Sequence, residues 1–347
     1  MKTFLSIFSL AVLTCLIFTN CSSDDDCTIN DDSNNSPCFN YNKKLLVLNT
    51  VFDNNVNAVI DYNSFLINNL NTTTPIYEGS LTTNTNLTFQ LPTSTSLYND
   101  DSELHGMLVT RAGKYFTFNT NTGTGQEFTT PSNIAAPIIV GGESYVIEVS
   151  NAGYANSGID NHFSIKPFNM NNGTTSAALT IPASNTTFNN NSFFHVESMS
   201  AASNGVNELY FVSGTNLITV NTSNNTSSHV DLYPSFSNTD FVRFIGLEYS
   251  ESLGLLALMD MPDINSRKIV KIDPTNGTYT DLLSIPTNIN TEFYSTVYSE
   301  CNKTYYLTSL ANGNTVQTNY FEIDLVANSI SNTQVFNDYV FGIELID

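Results

Sequence analysis

Few residues in this chain combine side chains that do chemistry with a useful spacing. His195 and Glu197 stand two apart in a strand-like run, so they share one face and would meet a metal ion together. Glu248 and Glu344 hold similar places in two later runs. No third ligand is evident beside the pair; Glu248, which with Glu344 would line the channel alongside Glu197, is the further metal candidate, and Ca²⁺ is the cation clustered carboxylate oxygens suit. Ordinary polar packing accounts for the same residues without any ion. Asp260, Asp263 and Asn265 offer more oxygens in one apparent loop, without the spacing of a recognised calcium loop. No other cofactor is expected.

Catalytic signatures are missing. The chain has no Gly-x-Ser-x-Gly elbow, no His-Glu-x-x-His, no phosphate loop and no dinucleotide fingerprint. A pair of carboxylates for glycoside chemistry stays open, because their separation in space is invisible in sequence. The 17 Tyr and 23 Phe supply either stacking platforms for sugars or packing between structural units. Eleven Lys plus Arg stand against 32 Asp plus Glu, a net charge of −21. That balance argues against nucleic acid, which needs a basic footprint. Cations, glycans or proteins without an acidic surface fit better. At 41% hydrophobic and 12% charged, the chain has the composition of a folded domain.

The elements that must position these residues announce themselves by repetition. Six runs end in Asn or Asp: Phe65–Asn68, Tyr115–Asn119, Lys166–Asn169, Leu217–Asn221, Ile269–Asp273 and Tyr320–Asp324, with their last residues 50 to 52 apart. Such a period marks a repeat architecture. Four residues after each anchor come Thr72, Gly123, Gly173, Asn225, Gly277 and Asn328; five of these six are Gly or Asn, which tolerate φ > 0 in a tight turn. Pro131, Pro182, Pro234 and Pro286 follow at twelve or thirteen, each closing an apolar run as at the end of an edge strand.

The fifth repeat reads as four strands: Phe244–Tyr249, Leu253–Met259, Lys268–Asp273 and Asp281–Ile285. Four strands repeated six times describe an all-β, six-bladed β-propeller of four-stranded antiparallel blades. The run Ile272–Gly277 resembles the Asp-Pro-x-x-Gly turns of many bacterial propellers. The absence of Trp argues against WD repeats, quinone-cofactor dehydrogenases and sialidase-type boxes. Phe341–Asp347 matches a first strand, whereas the first repeat opens at Lys44–Leu48 with a second strand. The C-terminal strand is thus expected to enter blade one and close the ring. With strands A to D running outward, the B–C and D–A loops share one face. The expected long loops are 53–63, 93–103, 151–162, 260–268 and 311–318, and Asp53, Tyr154, Asp160, Asp260 and Asp263 are the expected binding residues there.

Residues 1–20 read as a signal peptide and 21–42 as a polar tether, leaving 43–347 for the propeller. The apolar run Phe4–Thr19 stops at Cys21, followed by Ser22-Ser23-Asp24-Asp25-Asp26. This stretch resembles a bacterial lipoprotein precursor, and more narrowly the surface lipoproteins of Bacteroidetes. The resemblance implies lipidation of Cys21, an export tag at Ser22 to Asp26, and an outer-membrane anchor facing outward. Of the remaining mature cysteines Cys27, Cys38 and Cys301, the pair Cys38–Cys301 would staple the closure, with Cys27–Cys38 as the local rival. The expected function is a non-catalytic binding or scaffold module for a glycan or envelope protein, with a propeller hydrolase or lyase as the alternative.

Overall fold

The computed structural model describes residues 44–52, 58–66, 76–82, 92–100, 103–110, 114–119, 124–130, 134–149, 163–179, 200–233, 242–286, 289–311, 317–337 and 339–346. The calls on Cys21, Ser22 to Asp26, Cys38, Asp53, Tyr154, Asp160, His195 and Glu197 lie outside them.

Among the described residues all of the regular structure is strand except the short 3-10 turn Pro262–Ile264. β1 (Lys44–Phe52), β2 (Ala58–Leu66) and β3 (Ile76–Thr82) pair in sequence. The next sheet holds β4 (Pro92–Asp100), β5 (Glu103–Thr110), β6 (Lys114–Asn119) and β7 (Thr124–Thr129). It is followed by β8 (Ile134–Val140), β9 (Glu143–Val149), β10 (Phe163–Asn169) and the short β11 (Thr174–Thr175). Then come β12 (Ser200–Ser203), β13 (Glu208–Ser213), β14 (Asn216–Asn221) and β15 (Thr226–Asp231). The fifth sheet is β16 (Arg243–Ser250), β17 (Gly254–Met261), β18 (Ser266–Ile272) and β19 (Tyr279–Ser284). A further sheet contains β20 (Ile289–Ser299), β21 (Thr304–Ala311), β22 (Thr318–Asp324) and β23 (Ser329–Phe336). The last strand, β24 (Tyr339–Ile346), returns to the start of the chain and pairs antiparallel with β1, Leu45 opposite Leu345 and Val47 opposite Ile343.

Every sheet is antiparallel and four-stranded, and the first strand of each lies beside the first strand of the next. The neighbours run β24–β4, β4–β8, β8–β12, β12–β16, β16–β20 and β20–β24. This is a β-propeller arrangement. Its core is distributed between sheets because strands bury both faces. Leu255, Ala257 and Met259 of β17 pack toward Tyr210 and Val212, while Leu256 and Leu258 pack toward Tyr305 and Leu307. Apolar side chains on both faces, and not alternation with polar ones, are what this sandwiching of sheets demands.

The repeat anchors are Asx turns. The side-chain oxygens of Asn169, Asn221, Asp273 and Asp324 accept from the backbone N–H groups two residues on, at 2.8–3.1 Å. Gly173, Asn225, Gly277 and Asn328 follow at φ of 71, 54, 74 and 51°. Between them Asn172, Asn224 and Asn276 accept from both N–H and hydroxyl of Thr174, Thr226 and Thr278. At Gly277 the turn also meets the preceding sheet: a Cβ there would lie 2.9 Å from the Asp231 carbonyl oxygen. Pro286 comes straight after Ile285 beyond the outer strand β19, as expected.

Three of the expected loops need correction. Residues 93–100 belong to β4, an inner strand hydrogen-bonded to β5, so 93–103 is no loop. β2 already begins at Ala58, which shortens the connection from Asp53. Asp260 belongs to β17, and only Pro262–Ile264 and Asn265 separate it and Met261 from β18.

Candidate functional site

The face carrying the B–C and D–A connections is where the sequence points, and its best-described part is the rim of the fifth sheet. Arg243, Asp260 and Arg267 sit directly across from one another on β16, β17 and β18. Asp260 is fully buried and accepts from Arg243 Nε at 2.9 Å, with Arg267 Nε 3.0 Å from its other oxygen. Both guanidinium groups are about nine-tenths covered. Asp260 is therefore not a ligand-facing loop residue. Its position on the buried face of β17 places it between two arginines, which satisfy the charge that burial would otherwise make costly. Asp263 and Asn265 remain outside, exposed on the 3-10 turn, with Asn265 accepting from Arg267 Nη1 at 3.2 Å. The three oxygen donors do not converge on a common ion.

Further along β16 lies the most unusual stretch of the inner strands. The pairing with β17 slips between Ile245 and Glu248, and Gly246 takes φ +59°. A side chain there would collide, with Tyr305 Oη 2.6 Å and Thr296 Cγ2 2.8 Å from an added Cβ. The bulged peptides are held from three strands. Gly246 N–H donates to Tyr294 Oη at 3.2 Å, Leu247 N–H donates to Ser200 Oγ at 2.8 Å, and Tyr305 Oη donates to the Gly246 carbonyl at 2.5 Å. A similar tie recurs one sheet on, where Ile343 N–H donates to Ser295 Oγ at 3.1 Å.

Glu248 follows the bulge and reaches the next sheet, with Thr296 Oγ1 2.6 Å from its Oε1. Burial pushes its pKa up to about 7, against the opposing hydrogen bonds from Thr296 and the Tyr298 backbone. Desolvation raises Tyr294 and, more strongly, Tyr305. Glu344, one step further round, turns to its own neighbour and accepts from Leu345 N–H at 3.1 Å. Among the described residues no group of three or more His, Cys, Asp and Glu could hold a metal. Among the described residues Glu248 is in contact with the Thr296 hydroxyl and not with a second carboxylate.

On the opposite face the A–B turns are tied sheet to sheet. Ser250 Oγ donates to Glu300 Oε2 at 2.7 Å, and Lys303 reaches both Glu300 and Ser252. Burial alone would raise the Glu300 pKa; the hydrogen bonds from Lys303, Ser250 and Ser252 outweigh it and hold the group low. Cys301 sits in this turn between β20 and β21 and is disulfide-bonded.

Sequence reasoning missed Arg243, Arg267, Ser200, Tyr294, Thr296 and Tyr305. The one available signal was the spacing of Ser200, Glu248, Thr296 and Glu344, 48 residues apart, which puts polar groups at one level of successive inner strands.

Comparison with known proteins is consistent with this geometry at the level of architecture. No family model and no curated protein matches the chain. Among solved structures, the periplasmic gluconolactonase PpgL of Pseudomonas aeruginosa aligns with a TM-score of 0.50 and 12% identity, covering 88% of this chain and 99% of that one. A protein of unknown function from Bacteroides caccae aligns with a TM-score of 0.52 and 10% identity, over 88% and 99%. The likeness is one of fold.

The ion-paired row makes a prediction. Asp260→Ala leaves two guanidinium groups buried together and should cost about 3–5 kcal/mol of stability. Asp263→Ala, on the exposed turn, should stay within about 0.5 kcal/mol of wild type. Urea denaturation of both variants checks this, and equal midpoints would contradict the assigned burial.

Proposed function

We propose that this chain is a surface lipoprotein whose propeller, a closed ring of six blades, binds a glycan or an envelope protein through its B–C and D–A face. The observation that carries the reading is where the long connections fall. Thirteen residues separate Val149 from Phe163 and twenty-four separate Thr175 from Ser200, and both spans leave the same side of the third sheet. The A–B turn of that sheet, at the other side, is only Gly141-Gly142. Long connections on one side of a repeat fold are its usual recognition surface. The B–C turn of the fifth sheet adds exposed Asp263 and Ile264, the latter 70% exposed. The acid of the rim, Asp260, is occupied within the sheet, which leaves recognition to the loops.

A second reading is a hydrolase. It is favoured by Glu248, whose carboxyl group is pushed up to about 7 and lies beside the hydroxyl of Thr296. The name of the Pseudomonas protein suggests a sugar lactone as the first substrate class to try. The experiment that separates the two presents residues 39–347 to a glycan array and to envelope extracts, alongside a lactone-hydrolysis assay. Binding should weaken at least tenfold when residues 150–162 are replaced by a short Gly-Ser linker. Unchanged binding would remove the loop face from the reading. Hydrolysis abolished by Glu248→Gln would put the second reading first.

The anchor follows from Cys21 and the acidic residues after it. Cys21→Ala should move the full-length protein out of the detergent phase, since a soluble domain has no other hold on a membrane. Continued partitioning into detergent would contradict it. Cys38 is the proposed disulfide partner of Cys301, and non-reducing peptide mapping should recover that pair. A Cys27–Cys301 peptide would overturn the assignment.

A further inference from the structure

The outer strand of each sheet has an edge with no strand beyond it among the described residues, and a bare edge invites another chain. Charge or shortness protects most of the six. Glu78 stands in β3, Glu127 in β7, Asp231 in β15 and Asp281 in β19, while β11 is only two residues long. β23 has neither device. It is the longest of the six, and its residues Ser329-Ile330-Ser331-Asn332-Thr333-Gln334-Val335-Phe336 include no charge, no proline and no glycine.

A bulge blunts one end only. The pairing with β22 shifts between Glu322 and Ile323, and the extra residue, Ser331, donates its hydroxyl to the Glu322 carbonyl at 3.3 Å. Beyond it Asn332 to Phe336 run in regular register against Glu322 to Thr318. Gln334 and Phe336 are half-buried, Phe336 with its ring 5.8 Å from that of Tyr320. Thr333 and Val335 are exposed, so two β-branched side chains share the wet face. The carboxylates of the adjoining strand β22 are engaged. Glu322 accepts from Tyr320 Oη at 2.9 Å, and Asp324 from the N–H groups of Val326 and Ala327 at 2.8 Å.

We infer that β23 is a self-association edge, on which a second copy of this chain pairs antiparallel about a two-fold axis at Gln334. In that register Gln334 faces Gln334 of the copy, Thr333 faces Val335 and Asn332 faces Phe336. Every facing pair is uncharged, and Thr333 with Val335 is a β-branched pair of the kind strands favour.

Charge selects the occupant. Two copies each carry a net −21 and repel, so they tolerate contact only where no carboxylate meets its twin. A basic partner would gain more at the acidic edges β3, β7 or β19 than at the neutral one. Five residues a side is a small contact, in the weak and transient class. It lies on the perimeter of the sheets and leaves the B–C and D–A loops free, whatever they bind.

Sedimentation of the chain from Ser22 onward, with its free thiol alkylated, tests this from about 10 µM to about 1 mM, where so small a contact would associate. Wild type should pass from monomer to dimer and stop there, with hydrogen-exchange protection of amides 332–336 rising in step. Raising salt from about 0.05 M to about 0.5 M should tighten the dimer, because it screens repulsion around an uncharged contact. Gln334→Glu and Gln334→Lys each set like charges directly opposite and should each weaken self-association by about tenfold or more. Mixed one to one, the two variants should associate again, as an axis at that residue requires. A wild type still monomeric at about 1 mM, a dimer that Gln334→Glu leaves intact, or a mixture that stays apart would overturn the inference. So would protection of β23 that appears only with an envelope extract, which would give the edge to another partner. The amide measurement needs only wild type, which keeps the test decisive if a variant fails to fold.

Discussion

The pairing of β24 with β1 is the contact on which the remaining architecture depends. It joins the two ends of the described chain, Lys44 opposite Ile346, in the register that lets Val340 and Ile343 pack against Val297, Tyr306 and Tyr320. Without it β1 would present an unpaired inner edge, and β20 and β4 would each lack a neighbour on one side. Each sheet buries its apolar faces against the sheets beside it. One missing strand therefore exposes two faces and not one, which is the physical case for the closed ring proposed above.

The inner strands of the propeller arrangement are crowded. At Gly246 the approach is so near that only a residue without a side chain fits, and the peptide is pinned by Ser200, Tyr294 and Tyr305 from three other strands. Polar residues at the centre are thereby drawn into holding sheets together. Glu248 reaches Thr296 of the next sheet, whereas the rim acid Asp260 is held within its own sheet, clasped by arginines on both flanking strands. Groups that look chemically promising in isolation are largely part of the mortar, which supports the proposal that recognition falls to the loops above them.

The periodic part of this design was legible because it is local. An Asn or Asp, a Gly or Asn four residues later and a following outer strand sit within a dozen residues, so turn chemistry alone reveals them. The pairing of the C-terminal strand was legible too, since Phe341–Asp347 repeats the pattern of Ile245–Ser250 and the first repeat lacks such a strand. What stayed hidden depends on register between distant segments. Asp260 reads as a loop acid until β16 places Arg243, seventeen residues earlier, directly opposite. β4 reads as a loop because its Pro-Thr-Ser-Thr-Ser opening lacks apolar residues, yet its backbone pairs with β5 like any other strand. The Glu248–Thr296 contact spans 48 residues and needed the sheets to be set side by side.

The ring is tested most directly by hydrogen exchange of the last strand in the intact protein. If β24 is the inner strand that closes the circle, amides of residues 340–345 should exchange as slowly as those of β17, a central strand buried on both faces, and far more slowly than the outer strand β19. Exchange of that segment as fast as a frayed terminus, with β17 still protected, would contradict the closure and the account built on it.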